Sequence, residues 1–326
     1  MRKPKTIDLF CGGGGSSWGA VKAGAKIVAA FDKWDVAVST YKDNFPGVKL
    51  YSGDLTDFDP HDLKEELGKI DLILASPECT NHSPAKGNSP RCEISRETSF
   101  HVIRFAEALH PRWIVIENVV SMRKWARYHE FLERLKSLGY HCREQILNAA
   151  DFAVPQTRRR LFILCDREIM PRAVPQKQQP VKGANTIVSS NGAYPFRLLR
   201  SDHRAPATLE RAERAIAAIG ARTPFLIVYY GSDHAGGWQP ITRPLRTITT
   251  LDRFAYVKPT ADGHVMRMLQ PEELKLAMGW PKCFRIKQGT RRDKIKVIGN
   301  AVSPKVMAVI IKTLLNGRKQ DAREKA

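Results

Sequence analysis

The chain has 326 residues, of which 43% are hydrophobic, so it can bury a full core and has room for a large domain and a small one. Its 53 Lys and Arg against 33 Asp and Glu give a formal charge of +20, which favours a polyanionic partner over a generally basic protein or a binder of anionic membranes. The six cysteines form no Cys-x-x-Cys pair, and the sequence shows no secretory signal or apolar run of membrane length, so we expect a cytoplasmic protein with reduced thiols.

Short apolar runs alternate with helical patterns through the first half of the chain. The runs that predict strands are KTIDLF, KIVAAFD, VKLYSGDL, KIDLILASP, RWIVIENV and RRLFILCD, and the helical patterns between them include DVAVSTYKDNF, SRETSFHVIRFAEALH and KWARYHEFLERLKSLGY. This alternation indicates an α/β fold with a doubly wound, mostly parallel sheet. Ligands of such sheets bind beyond the carboxyl ends of the strands, so the residues at those ends are the candidates for a site.

Four consecutive glycines, Gly12 to Gly15, follow the first predicted strand and precede a helix, where the backbone can approach a ligand closely. Asp32 ends the second strand, at the distance where a carboxylate receives a ribose hydroxyl, and Asp54 after the third could accept from an adenine amino group. The spacing G-x-G-x-x-G is absent, because Ser16 stands where its third glycine is needed. A nucleoside cofactor without a pyrophosphate, such as S-adenosylmethionine, fits better than NAD. A turn that only reverses the chain would explain the glycines but not both acids.

The fourth and fifth predicted strands end in residues suited to chemistry. Cys79 precedes a long polar segment, TNHSPAKGNSPRCEISRET, as a nucleophile of an α/β enzyme would, and a core cysteine is the alternative. Cys79, His82 and Cys92 lack a fourth ligand and match no structural zinc spacing, so we expect no metal site. Glu117 and Asn118 follow four apolar residues, where a buried carboxylate is costly unless it is used. A thiol and a carboxylic acid suit attack on an electron-poor ring, although Glu117 could also be a salt-bridged strand end.

The segment DFAVPQTRRRLFIL places Gln156 and three arginines before the last of these predicted strands. Alternation along a strand puts Arg158 and Arg160 on one face and Arg159 on the other. Two guanidinium groups at one site could clamp a phosphate or a base edge and could lower the pKa of a thiol. A solvated basic edge strand is the alternative.

Together these motifs resemble those of the cytosine-5 DNA methyltransferases of bacteria and phages, and they occur in that family's order over nearly the whole chain. DLFCGGGGSSWG resembles the cofactor loop, SPECTNHS the Pro-Pro-Cys motif, IENV the Glu-Asn-Val motif and QTRRR the Gln-x-Arg-x-Arg motif. RPLRTITT is similar to the segment that holds the target-recognition region, and GNAVSP is similar to the final motif, which closes the cofactor pocket.

The resemblance implies transfer of a methyl group from S-adenosylmethionine to C5 of a cytosine that is flipped out of duplex DNA, with S-adenosylhomocysteine as the product. It implies that Cys79 attacks C6, that Glu117 holds N3 and the exocyclic amine, that Arg158 orients the base or the thiol, and that Asn118 supports the loop that carries Cys79. The implied catalytic residues are Cys79, Glu117, Asn118, Arg158 and Arg160. The implied cofactor residues are Phe10, which would stack on the adenine, and Gly12, Gly14, Asp32, Lys33, Asp54, Pro77, Asn300 and Val302. The implied DNA-binding residues are Ser83, Gln156, Arg159, Arg243 and Thr249.

The nucleophile motif departs from the family at Glu78, where a second proline or an apolar residue is usual. A carboxylate next to Cys79 should raise the pKa of the thiol unless it points away or is paired, and Arg158 or Arg160 is the expected partner. A catalytically silent DNA-binding relative and an RNA cytosine-5 methyltransferase of the same family therefore stay open as alternatives. A nicotinamide-dependent oxidoreductase fits the sheet and Asp32, but neither the glycine spacing nor the charge.

The expected organisation is a catalytic and cofactor-binding domain over 1–165, a target-recognition region over 166–240, a segment over 241–317 that supports this region and returns to the catalytic domain, and a frayed tail over 318–326. The expected partner is double-stranded DNA, with no membrane. A restriction-modification pair, in which a cognate restriction endonuclease acts separately, and an orphan or phage role both stay open. We expect a monomer in the cytoplasm of a bacterium, encoded by the cell or by a phage.

Overall fold

The computed structural model of the chain describes residues 2–78, 93–176, 180–189, 192–230 and 237–324, without the side chains of 94, 95 and 318–324. The strands of the first sheet are β1 (Lys5–Leu9), β2 (Lys26–Asp32), β3 (Lys49–Ser52), β4 (Leu72–Ala75), β5 (Trp113–Asn118), β6 (His141–Asn148) and β7 (Arg159–Asp166). The helices along this part of the chain are α1 (Gly15–Lys22), α2 (Asp35–Asn44), α3 (Pro60–Leu67), α4 (Glu93–Glu97), α5 (Phe100–Leu109) and α6 (Tyr128–Ser137).

The first sheet has the strand order β3-β2-β1-β4-β5-β7-β6. Strands β1 to β5 are parallel, whereas β7 runs antiparallel to both β5 and β6, so the predicted mostly parallel sheet is confirmed. The edge strand His141–Asn148 is not among the apolar runs that predict strands, because it is mostly half-exposed and lacks a continuous apolar run. The order of the strands reverses between β1 and β4, which lie side by side and leave a crevice beyond their carboxyl ends.

Apolar side chains cover both faces of this sheet, as the alternation of strand residues requires. In β4, Ile73 joins one core with residues of α3, α5 and α6, while Leu72 and Leu74 join the core on the opposite face. That second core includes Ala20 of α1 and Ile310 of the last helix, so the C-terminal part of the chain packs against the same sheet as its beginning.

A second sheet, of order β10-β9-β11-β12-β8, lies between residues 197 and 268. Its antiparallel strands are β8 (Arg197–Leu198), β9 (Phe225–Val228), β10 (Trp238–Pro240), β11 (Phe254–Thr260) and β12 (Gly263–Met268), and α7 (Pro206–Ile219) packs its Ala212 and Ala215 against them. The chain then continues through α8 (Pro271–Ala277), α9 (Arg291–Asn300) and α10 (Pro304–Glu324). The backbone is thus helical to Glu324, although the sequence predicts a frayed tail from 318. The domain boundaries stay a prediction.

The stretch Arg291–Gly317, which contains α9 and most of α10, is long and apolar enough to cross a membrane by length and composition. However, 67% of the apolar 18-residue window within this stretch is buried inside the protein. Core helices meet the same criteria, and Ile310 and Ile311 pack against the first sheet, so this stretch is weak evidence for a membrane span.

Candidate active site

The glycine turn after β1 contains three residues with left-handed backbone, namely Phe10 (φ 56°), Gly12 (φ 53°) and Gly14 (φ 92°). This conformation is unusual for a phenylalanine and marks Phe10 as a candidate functional residue. A Cβ atom on Gly14 would lie 2.5 Å from the Phe45 ring, so only glycine fits there. Gly12 differs, because a Cβ atom there would meet nothing within 4 Å, which leaves open space beside the turn among the described residues.

Asp8 is a fully buried carboxylate in β1 that the sequence analysis does not single out. Its Oδ2 accepts hydrogen bonds from Ser16 Oγ at 2.5 Å and Ser17 Oγ at 2.6 Å, and the Tyr41 hydroxyl lies 2.7 Å from Ser17 Oγ. Its Oδ1 is buried without a hydrogen-bond partner in the described part of the chain. Burial raises the pKa of Asp8 to about 7, against the lowering effect of both serines. The available signal was the Ser-Ser pair at the start of α1, eight and nine residues after an acid within an apolar strand.

Asp32 lies at the carboxyl end of β2, beside the glycine turn. Its Oδ2 accepts from the Gly12 amide at 2.8 Å and its Oδ1 accepts from the Trp34 amide at 2.9 Å. Each oxygen keeps a further lone pair that a hydroxyl group could use. Burial raises the pKa of Asp32, while the two amide hydrogen bonds act in the opposite direction.

Asp54 and Lys33 form an ion pair just beyond β3 and β2, with 3.1 Å between Lys33 Nζ and Asp54 Oδ2. The other oxygen of Asp54 accepts from the Thr56 amide at 3.2 Å. Burial acts to raise the pKa of Asp54, but the contacts with Thr56 and Lys33 lower it overall. Asp54 therefore stays an anion that is already engaged on both oxygens.

Glu78 is exposed and lines the same open pocket as Lys33 and Asp54. Arg158 or Arg160 was the expected partner of Glu78, and this expectation is wrong for the described residues. Arg160 pairs with Glu117 instead, and Arg158 is bound to backbone carbonyl groups. The charge of Glu78 therefore faces the side where the cofactor is expected, away from both arginines.

Glu117 is buried at the end of β5, with 6% of its surface exposed. Arg160 Nε lies 3.2 Å from Glu117 Oε1, and both side chains line a small cavity with Arg158 and Ser303. Burial raises the pKa of Glu117, which Arg160 and Arg158 counteract in part. Alternation along the strand thus brings Arg158 and Arg160 to one face, while Arg159 is exposed.

Asn118 anchors the chain between β4 and the segment that contains Cys79. Its Nδ2 donates to the carbonyl of the buried Pro77 at 3.2 Å, and its Oδ1 accepts from the Val119 amide at 2.8 Å. Because β4 and β5 are parallel neighbours, the chain leaves β4 at the same edge as Glu117. Cys79 and Ser83 lie outside the described residues, as do His82 and Cys92.

The Arg158 guanidinium is buried and bound to three carbonyl groups. Its Nη1 donates to Ile248 at 3.1 Å, and its Nη2 donates to Gly299 at 2.9 Å and Ala301 at 3.0 Å. The resemblance to the family implied that this group orients the base or the thiol. Because its donors hold the RPLRTITT and GNAVSP segments, we interpret Arg158 as a positioning residue.

Gln156 is fully buried, contrary to the prediction that it contacts DNA. Its Oε1 accepts from the Ile248 amide at 2.9 Å and its Nε2 donates to the Ala277 carbonyl at 3.3 Å. These internal bonds use its amide group, so the side chain is not presented on the surface. Of the other residues predicted to bind DNA, Arg159 and Arg243 are exposed and Thr249 is half-buried.

The GNAVSP segment packs against the first helix. A Cβ atom on Gly15 would lie 2.2 Å from the Val302 carbonyl oxygen, so the glycine permits this close approach. Val302 is buried, whereas Asn300 is exposed. The final motif therefore lies next to the glycine turn, where the sequence analysis expected it to close a cofactor pocket.

Residues 4–316 match the model of the C-5 cytosine-specific DNA methylase family. The type II methyltransferase M.HgiDI of Herpetosiphon aurantiacus is 29% identical over 315 residues, which cover 95% of this chain and 94% of that protein. The type II methyltransferase M.HindV of Haemophilus influenzae is 26% identical over 335 residues, which cover 98% and 99%. The solved structure of the Entamoeba histolytica methyltransferase EhMeth has a TM-score of 0.71 at 16% identity, with 98% and 99% covered, and supports the fold alone.

Proposed function

Because its match extends over residues 4–316, the chain belongs to the C-5 cytosine-specific DNA methylase family, and we propose that Glu117 and the segment anchored by Asn118 form its catalytic site. The reaction is the transfer of a methyl group to C5 of cytosine in DNA. This assignment of the catalytic site rests on the buried carboxyl group of Glu117, whose Oε1 accepts no hydrogen bond from the described residues. The ion pair with Arg160 leaves lone pairs of this oxygen free in the cavity, and a flipped base could use them.

The residues around the glycine turn fit S-adenosylmethionine, the methyl donor that methyltransferases generally use. The open space beside Gly12 and the further lone pairs of Asp32 are what a polar nucleoside ligand requires. When bound, this cofactor supplies an electrophilic methyl group and leaves as S-adenosylhomocysteine. Asp32 would hold the ribose hydroxyls, Phe10 would stack on the adenine, and Asp54 would accept from its amino group. The further residues proposed to enclose the cofactor are Gly12, Gly14, Lys33, Pro77, Asn300 and Val302.

In the proposed mechanism, Glu117 works on the ring of a flipped cytosine. Burial raises the pKa of Glu117, which favours a carboxylic acid that can donate a proton to N3. The exocyclic amine can donate to the second oxygen of the carboxyl group. Both contacts draw electron density from the ring and favour attack at C6 by the Cys79 thiolate. C5 then becomes nucleophilic and would take the methyl group. The C5 proton is lost to solvent, the C6–S bond breaks to release the Cys79 thiolate, and N3 returns its proton to Glu117.

The supporting residues hold this arrangement in place. Arg160 fixes the Glu117 carboxyl through their ion pair, and Asn118 fixes the chain two residues before Cys79 through the Pro77 carbonyl. Arg158 ties β7 to the segments before and after α9. A displacement of any of these contacts would move the reacting groups apart.

We further propose that the enzyme acts on double-stranded DNA as a monomer in the bacterial cytoplasm. The formal charge of +20 supports a phosphate-rich partner, and the exposed Arg159 and Arg243, with Thr249 and Ser83, are the proposed contacts. The second sheet, with α7, would carry the recognition of base sequence, in line with the predicted regions 166–240 and 241–317. Because the named relatives are type II methyltransferases, a cognate restriction endonuclease that acts separately is the expected companion.

Incubation with mixed-sequence duplex DNA and methyl-labelled S-adenosylmethionine, followed by nucleoside analysis, tests this function. We expect labelled 5-methylcytosine from the wild type and none from Cys79→Ser. Sequencing of the product would give the recognition site. Label in RNA but not in DNA would instead support an RNA methyltransferase, and DNA binding without any label would support a catalytically silent relative.

A further inference from the structure

An open pocket beside the proposed cofactor site gathers charged side chains from three strand ends. Lys33 follows β2, Asp54 follows β3 and Glu78 follows β4, and all three line the pocket together with His101 of α5. Lys33 Nζ contacts Asp54 Oδ2 at 3.1 Å, yet 60% of the Lys33 side chain remains exposed. The ammonium group has three donors, so it can serve a second carboxylate in the same pocket.

The two arginines of this pocket form ion pairs with glutamates. Arg127 pairs with both Glu97 and Glu130, and Arg134 pairs with Glu130. Both guanidinium groups also lie over the ring of Phe100, with 4.4 Å from the Arg127 guanidinium carbon to the ring centroid and 5.2 Å from that of Arg134. Both arginines are therefore held by groups other than Asp54 and Glu78.

His101 is held towards its neutral form. Burial and the nearby Arg104 lower its pKa below the ordinary histidine value. Among the described residues that line the pocket, Lys33 is thus the cation left to balance Asp54 and Glu78. Both carboxylates also act to raise the pKa of Lys33, the effect of Asp54 being the larger.

We propose that Lys33 is shared between Asp54 and Glu78 and offsets the charge of Glu78 directly before Cys79, so that the thiol can still ionise. This inference rests on the proposed role of Cys79 as the nucleophile. A carboxylate in that position stabilises the thiol over the thiolate, and a cation beside the carboxylate cancels this effect. Lys33 would then be a positioning residue that contacts Asp54 at the adenine end of the cofactor and acts on Cys79 through Glu78. Its charge would compensate for Glu78, which stands where the family usually has a proline or an apolar residue.

The test measures the ionisation of the Cys79 thiol directly, without cofactor or DNA. The rate of alkylation by iodoacetamide is followed between about pH 6 and pH 10 by mass spectrometry of the Cys79 peptide, which separates it from the other cysteines. We compare the wild type with Lys33→Met, Glu78→Gln and the double variant. Lys33→Met should move the midpoint of the alkylation profile upward by about 0.5 to 1 pH unit. In the Glu78→Gln background, the same substitution should cause less than half of this shift.

Two further variants keep the result interpretable. Lys33→Arg preserves the charge and should keep the wild-type midpoint, while Lys26→Met removes a lysine at the opposite end of β2 and should have no effect. An equal shift in both backgrounds would overturn the proposal, because Lys33 would then act on Cys79 without Glu78. An unchanged midpoint in folded Lys33→Met would overturn it as well.

A parallel titration of S-adenosylmethionine, in the absence of DNA, separates this inference from the proposed function. Lys33→Met should weaken binding several-fold through Asp54, whereas Glu78→Gln should leave it within about twofold. Equal weakening by both variants would contradict the assignment of Glu78 to the nucleophile side. If Cys79→Ser still methylated DNA, the proposed function would fail, but the alkylation profiles would still report whether Lys33 offsets Glu78.

Discussion

Arg160 Nε lies 3.2 Å from Glu117 Oε1, yet this buried oxygen accepts no hydrogen bond from the residues that the structure describes. The ion pair fixes the carboxyl group while lone pairs remain for a substrate. Burial raises the pKa of Glu117 by more than the two arginines lower it. A larger fraction of Glu117 is therefore protonated near neutral pH than of an exposed glutamate.

Glu117→Gln is expected to lower the rate of methyl transfer by about 10²- to 10⁴-fold, because an amide cannot deliver a proton to the ring. The measurement is a single-turnover assay with labelled S-adenosylmethionine and duplex DNA. Glu107→Gln, at an exposed position of α5, is the matched control and should keep the wild-type rate. A near-normal rate for Glu117→Gln would assign the proton to another group.

Asp8→Asn is expected to flatten the dependence of stability on pH. The pKa of Asp8 in the folded protein is about 7, against an ordinary value of 3.8. The folded state therefore binds more protons than the unfolded chain between these values, and the free energy of unfolding falls as the pH rises through that window. Each unit of difference corresponds to about 1.4 kcal/mol, so the wild type should lose a few kcal/mol that the variant does not lose.

Urea unfolding at about pH 5 and about pH 8 checks this expectation, with the same buffer ions at both values. The exposed Asp62→Asn of α3 serves as the control and should keep the wild-type dependence. If Asp8→Asn loses as much stability as the wild type between the two pH values, Asp8 is ionised in the folded protein and the reasoning is wrong.

Arg158→Met should destabilise the fold by about 3 kcal/mol or more, because it removes the donors to three buried carbonyl groups. Arg159→Met, one residue along the same strand, is exposed and should change the stability by less than about 0.5 kcal/mol. Chemical denaturation of both variants provides the comparison. Equal effects would mean that the carbonyl contacts contribute nothing particular to the fold.

Arg243→Gln is expected to weaken DNA binding without changing the stability, since its side chain is exposed. The logarithm of the binding constant falls linearly with the logarithm of the salt concentration. If Arg243 contacts one phosphate, its loss should make this slope shallower by about 0.9. Lys136→Gln removes one exposed charge from α6 and should leave the slope unchanged. The slopes can be measured by fluorescence anisotropy with labelled duplex DNA over a range of salt, and equal slopes for both variants would remove Arg243 from the interface.

The strand ends of the first sheet were accessible from the sequence because β1 to β5 are marked by apolar runs and by polar residues that follow them. The sequence also indicates that Arg158 and Arg160 share a face, since alternation is a local property. It does not indicate what that face contains. The carbonyl partners of Arg158 lie 90 to 143 residues farther along the chain, so its scaffold role required the folded structure.

Other differences have the same origin. Gln156 belongs to a recognisable motif, but its burial depends on Ile248 and Ala277, which are distant in sequence. Asp8 looked like an ordinary polar residue of β1, because the consequence of its burial depends on the helix that packs above it. Glu78 was expected to pair with Arg158 or Arg160, whereas it lines the same pocket as Lys33.

The close approach of Gly15 to the Val302 carbonyl has a consequence for biosynthesis. The glycine turn is translated before the second sheet, whereas the segment that packs on it is translated after that sheet. A nascent chain can therefore form the glycine turn before the residues that pack against it have been synthesised. Until residue 302 is added, Gly15 lacks the carbonyl group that it approaches in the folded protein.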